Sequence, residues 1–142
     1  MEIGFYHLTR SGVADALPRL VARTLAAGHR AVVACPTPEV LAELDAALWA
    51  ADGWLPHGTA ADGDADLQPV WLATDDEAAN GARFLFAVGG IPTPNLLGYE
   101  RAFDLFDGRD EPQVAAARLR YRAAEAHART YWKQTDSGWE RG

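Results

Sequence analysis

Arg30-Ala31-Val32-Val33-Ala34-Cys35-Pro36-Thr37-Pro38-Glu39-Val40-Leu41 is the stretch whose reading decides the fold. Residues 30–35 are short and, after Arg30, wholly apolar, the pattern of a strand covered on both faces. Thr37 then offers a side-chain oxygen as a helix cap. Pro38 takes the first helical position, where a missing N–H costs nothing, and Glu39 lies in the first turn. Val40, Leu41, Leu44 and Leu48 give a helix over 38–50 its buried stripe. A doubly covered strand running straight into a helix is the unit of an α/β protein.

Outward from this unit the same reading continues. Residues 2–8 (Glu-Ile-Gly-Phe-Tyr-His-Leu) have the aromatic and β-branched content of a strand. Val13, Leu17, Leu20, Val21 and Leu25 recur at helical spacing over 13–27, with Gly28 as the stop. Pro18 interrupts that pattern and is tolerable only near a first turn. Residues 51–68 are rich in Gly, Asp and Ala and read as a loop; 69–73 and 83–88 read as strands. Gly89, Gly90, Pro92 and Pro94 make a break before a last strand over 99–107. An Ala- and Arg-rich helix is expected over 111–128, and the tail from Thr130 is left without an element. The order β-α-β-α-β-β-β-α predicts an α/β sandwich with a central, mostly parallel sheet and right-handed first crossovers, one domain over residues 1–142.

The chain has 142 residues, enough to bury roughly 68–70% of its unfolded surface. Its apolar fraction of 49% includes 28 Ala, and Leu, Ile, Val and Phe together number only 30. The 14 aromatic residues, five of them Trp, nonetheless argue for a folded core. Thirteen Lys and Arg stand against 20 Asp and Glu, which argues against a general nucleic-acid surface but leaves room for a local basic site. A single cysteine, Cys35, excludes an internal disulfide and a Cys-rich zinc site. The start Met-Glu-Ile-Gly-Phe-Tyr lacks a basic, then apolar leader, and no apolar run reaches 18 residues. A cytoplasmic protein without a membrane segment is the expectation.

Several chemistries are disfavoured. The only lysine is Lys133, so no Gly-Lys phosphate loop exists, and no G-x-G-x-x-G follows the first strand. Ser11 and Ser137 are not in nucleophile elbows. Asp62, Asp64 and Asp66 begin like a calcium loop, but Leu67 and Ala73 stand where a Gly and a Glu are required. His7, His29, His57 and His127 lack metal spacing. A Cys35–His57 nucleophile pair has no orienting group and no oxyanion site. Asp75 and Asp76 are adjacent, so their side chains diverge. No catalytic, cofactor or metal residue is expected.

Two features remain. Arg118, Arg120, Arg122, Arg129 and Lys133 crowd into sixteen residues, offset before position 134 only by Glu125. Arg118, Tyr121 and Arg122 fall at i, i+3 and i+4, so two guanidinium forks flank a ring on one helix face, a face suited to a carboxylate beside an apolar group. An ordinary solvated helix face is the bland alternative. Trp49 ends the second helix and Trp54 lies in the following loop; either they cover the core or they wall a pocket for a partner's apolar anchor.

With these residues in view the sequence resembles the chi subunit of bacterial DNA polymerase III. The resemblance rests on Phe5-Tyr6-His7-Leu8, Val32-Val33-Ala34-Cys35, Leu44-Asp45-Ala46-Ala47-Leu48-Trp49, Leu55-Pro56-His57-Gly58, Leu105-Phe106-Asp107, Ala117-Arg118-Leu119-Arg120-Tyr121-Arg122 and Tyr131-Trp132-Lys133-Gln134, in that order. It implies a nucleotide-binding-like α/β fold without the phosphate-binding loop. It also implies a non-catalytic accessory subunit that joins the clamp loader through a small partner, psi. Such a subunit binds the acidic C-terminal tail of single-stranded DNA-binding protein, which ends in Pro-Phe and a free carboxylate. The family pattern Arg-x-x-Tyr-Lys falls on Arg118, Tyr121 and Arg122, with Arg in place of Lys; its aromatic positions fall on Trp49 and Trp54, and a basic position one turn earlier is Val114. The implied arrangement puts the tail's Phe between Trp49, Trp54 and Tyr121 and its carboxylate on Arg118, with upstream Asp residues along Arg122 and Arg120 or Arg129 as further partners. No psi-binding residue is transferred. A nucleotide-handling α/β enzyme and a direct single-strand binder stacking bases on Trp49, Trp54 and Tyr121 are the alternatives.

Overall fold

The computed structural model describes residues 1–142. Eight strands form one sheet: β1 (Glu2–Leu8), β2 (Ala31–Ala34), β3 (Gly58–Thr59), β4 (Val70–Ala73), β5 (Phe84–Val88), β6 (Arg101–Asp107), β7 (Ala128–Thr135) and β8 (Gly138–Arg141). Three helices pack on it: α1 (Val13–Ala26), α2 (Pro38–Ala50) and α3 (Glu111–Ala123). The spatial order is β3-β4-β2-β5-β6-β1-β7-β8, and every neighbouring pair is parallel except the terminal β7–β8 hairpin. The expected α/β architecture with a mostly parallel central sheet is the one observed.

Alternation along the strands separates two apolar layers. Tyr6, Val33, Leu72, Phe86, Phe103 and Leu105 point to one side, where α1 (Leu17, Leu20, Val21) and α2 (Leu44, Leu48) cover them. Phe5, Val32, Trp71, Leu85, Ala102 and Phe106 point to the other, under Val114 and Ala117 of α3 and Ala124 just past its end. Phe5, Phe86 and Phe106 are fully buried, each stabilising by roughly 1.5–3 kcal/mol. α2 starts where expected, with Thr37 Oγ1 accepting from the Val40 N–H at 3.2 Å. α1 runs through Pro18. Burial of Leu17, Leu20 and Val21 outweighs the hydrogen bond that proline removes.

Three expectations need correction. α3 stops at Ala123, not at 128, and the tail is no loose end but β7 and β8. From Ala128 the period changes to two, and the segment pairs with β1 from Glu2↔Ala128 to His7↔Lys133. Sheet pairing there outweighs the helix propensity of an Ala- and Arg-rich stretch. The 51–68 loop also contains the two-residue strand β3 and a 3-10 turn at 65–67.

Candidate partner-binding site

β7 brings the basic cluster together. Because Tyr131 packs on the α3 layer while Trp132 packs on the α1 layer, the alternating set Arg129, Tyr131 and Lys133 faces α3. Tyr121 fills the seam between α3 and β7: its ring meets Tyr131 edge-on at 5.7 Å and Phe5 at 5.4 Å. The Arg129 guanidinium lies 4.1 Å over the Tyr121 ring and donates to the Tyr121 carbonyl. His7, on the same face of β1, hydrogen-bonds through Nδ1 with the Tyr131 phenol at 2.7 Å. Burial lowers the His7 pKa below its ordinary value, helped by the nearby charges of Lys133 and Arg118 and opposed by a hydrogen bond with the Gly108 backbone. Burial pushes the Tyr131 phenol up.

The five basic residues divide by what they touch. Arg120 is committed inward: Nε and Nη2 donate to the two carboxylate oxygens of buried Asp104 at 2.7 and 2.9 Å. Arg129 is committed to Tyr121. Arg118, Arg122 and Lys133 are exposed and make no ion pair or side-chain hydrogen bond within the chain. Within this cluster Arg120 and Arg129 thus have partners in the chain, whereas Arg118, Arg122 and Lys133 do not.

Trp49 and Trp54 lie elsewhere. α2 covers the opposite face of the sheet, so a single pocket walled by Trp49, Trp54 and Tyr121 does not form. Sequence spacing within α3 finds Arg118, Tyr121 and Arg122; it cannot show that the sheet stands between them and α2. Both tryptophans project into solvent, 65% and 81% exposed. Trp49 leans on the His57 ring at 4.6 Å. His57 in turn bonds the Leu55 carbonyl at 2.6 Å and lies 3.0 Å from an Asp45 carboxylate oxygen, too poorly aligned for a hydrogen bond. Cys35 faces the Val33 carbonyl, and burial pushes its thiol up to about 12.

Charge is as polarised as the faces. Residues 31–82 carry ten Asp and Glu and no Lys or Arg; all thirteen cations lie outside that segment. The acidic segment builds the β3-β4-β2 edge and α2, while Arg118, Arg122 and Lys133 stand on α3 and β7, toward the other edge. At the β1–α1 turn, where a nucleotide-binding fold would present backbone donors to phosphate, the Arg10 and Ser11 N–H groups donate instead to Gln134 Oε1 at 2.8 and 3.1 Å.

A family model, DNA polymerase III chi subunit, HolC, matches residues 1–133. The chain belongs to the chi family. It is by that membership an accessory subunit of DNA polymerase III in DNA replication. The match spans α2, α3 and β7 through Lys133, so it covers both the α3–β7 basic residues and the Trp49–Trp54 pair. Comparison with curated proteins returns no match. No helix is long and apolar enough to cross a membrane.

Proposed function

We propose that this chi-family chain links the clamp loader to single-stranded DNA-binding protein by holding that protein's acidic C-terminal tail on the α3–β7 face. The observation that carries the reading is the trio Arg118, Arg122 and Lys133, exposed and without an ion pair, on the helix and strand whose seam Tyr121 fills, in a protein of net charge −7. Unpaired guanidinium groups next to an aromatic ring suit carboxylates carried on an apolar segment. A disordered tail must be ordered as it docks, so affinity is modest and falls with salt. The chain itself performs no catalysis in this role.

The Trp49–Trp54 surface supports a second contact. Two exposed indoles are good anchors for a partner, and the psi-like clamp-loader subunit is the occupant this reading assigns them. The two surfaces lie on opposite faces of the sheet, so both partners can be held at once, which linking requires.

The test is a calorimetric titration with a peptide ending Asp-Asp-Ile-Pro-Phe. Wild type should bind at low salt, and the Arg118→Ala/Arg122→Ala double variant should lose at least tenfold in affinity. Equal binding by the two proteins would remove the α3–β7 face from the tail contact.

A further inference from the structure

α1 leaves part of its own face of the sheet open toward β8. Trp139, on β8, packs with Tyr6 and Trp132 on the α1 layer. Between Trp139 and α1 runs an open groove of about 570 Å³, with Arg10, Arg19 and Arg23 along α1 and the turn before it. A second hollow of about 350 Å³ lies over Tyr6, Phe84 and Phe103 and carries His29 and Arg101. Leu20 and Arg23 line both, so the two form one channel along α1. Neither Trp49 nor Trp54 lines it, and α3 lies on the other face of the sheet.

Four arginines line this channel against two aspartates. Both carboxylates are engaged: Asp15 accepts from the Gly12 N–H at 3.0 Å, and Asp136 pairs with Arg10 at 3.1 Å. Arg19, Arg23 and Arg101 make no ion pair. Arg19 and Arg23, at i and i+4, stand about 6 Å apart along the helix axis. The Arg101 guanidinium lies 4.8 Å from the centre of the Phe103 ring. The floor is aromatic. Trp139 meets Tyr6 at right angles at 5.2 Å, Tyr6 meets Phe103 at 5.7 Å, and His29 lies flat on Phe84 at 4.2 Å.

We infer that this channel holds a short run of single-stranded nucleic acid, its phosphates on Arg19, Arg23 and Arg101 and one base against the half-buried Trp139. A row of unpaired cations beside aromatic rings is how proteins hold a single strand without reading its sequence. The cations alone suit any polyanion; the rings select one that carries flat apolar faces between its charges. The net charge of −7 confines the attraction to this place. Residues 31–82, with ten Asp and Glu and no Lys or Arg, repel a strand from α2 and the β3-β4-β2 edge. The contact is independent of the tail reading, since a tail on α3 and a strand along α1 occupy opposite faces of the sheet.

The test is fluorescence anisotropy of a labelled oligothymidylate titrated with the whole protein at low salt. Wild type should bind, with a slope of log K against log salt of about −2, from three phosphates at about −0.7 each. Arg19 and Arg23 are exposed, so Arg19→Ala/Arg23→Ala should fold normally, checked by circular dichroism. It should lose at least tenfold in affinity and about two thirds of the salt slope. Trp139→Leu should weaken binding about fivefold or more, the loss of one stacked base, and Trp139→Phe should restore part of it. No binding by wild type would overturn the channel as a strand site. So would an equal loss in Arg118→Ala/Arg122→Ala, which would make the attraction diffuse. Full binding by a folded Trp139→Leu would overturn the stacked base, and competition by thymidine monophosphate at the affinity of the oligonucleotide would replace the strand with a free nucleotide.

Discussion

His7 and Tyr131, 124 residues apart in sequence, share a hydrogen bond of 2.7 Å because β1 and β7 run parallel with His7 one step beyond the Tyr6↔Trp132 pair. The bond ties the first strand to the strand that carries Arg129 and Lys133. It also makes His7 a reporter of the charge around it. In the neutral tautomer with its proton on Nε2, His7 accepts the phenol hydrogen at Nδ1; the imidazolium can only donate there.

His7 should therefore titrate below the ordinary histidine value of about 6.5. Between its lowered native pKa and about 6.5 the unfolded chain binds more protons, so stability rises with pH through that window and levels off above it. An acidic peptide neutralising Arg118 and Lys133 removes part of the cause and should move the His7 pKa upward. Imidazole chemical shifts, assigned with His7→Gln, measure both effects. A His7 titration unchanged by saturating peptide would place the ligand away from this face.

Asp104 is 5% exposed, and burial raises its pKa despite the opposing Arg120 charge. Arg120→Met strands that carboxylate and should cost about 3 kcal/mol in urea unfolding, the scale of breaking one side of a buried ion pair. Asp104→Leu combined with Arg120→Met should recover most of the loss. A single variant as stable as wild type would mean that Asp104 is solvated or neutral without its partner.

The sequence made the central elements legible where two independent signals agreed. Thr37-Pro38-Glu39 fixed the start of α2 while Leu44 and Leu48 fixed its buried face, and both ends came out at Pro38 and Ala50. The end of α3 was not legible, because Ala124, Ala126 and Ala128 keep a helical composition while the chain turns into β7. Strand pairing with β1, a contact across more than 120 residues, decides that point and leaves little local trace. The same gap affected the site. The spacing of Arg118, Tyr121 and Arg122 was local and readable, but which of Arg120, Arg129 and Lys133 stays free depends on Asp104 and Tyr121 as partners.

Cys35 closes β2 with no measurable exposure, and burial alone pushes its thiol up to about 12. At neutral pH it is a protonated, enclosed thiol, and the reactive species is the thiolate. An aromatic disulfide reagent should modify Cys35 only as fast as the chain opens, with labelling rising across the denaturant transition. Rapid stoichiometric labelling of the native protein would show that the end of β2 opens far more readily than the core around it.

Trp49 and Trp54 allow the two faces to be separated by experiment. Trp54 is 81% exposed, so Trp54→Ala should change stability by no more than about 0.5 kcal/mol, the range for surface positions. Trp49→Ala should cost more, because that ring covers His57, whose side chain is buried next to Asp45. Neither substitution should alter affinity for the acidic tail peptide by more than twofold, since the sheet lies between these rings and α3. Both should instead weaken capture of a psi-like partner. If Trp54→Ala, still fully folded, loses the tail peptide while Arg118→Ala keeps it, the assignment of the two faces must be exchanged: the acidic tail would then dock by its apolar end on α2, and the free cations of α3 and β7 would serve the clamp loader.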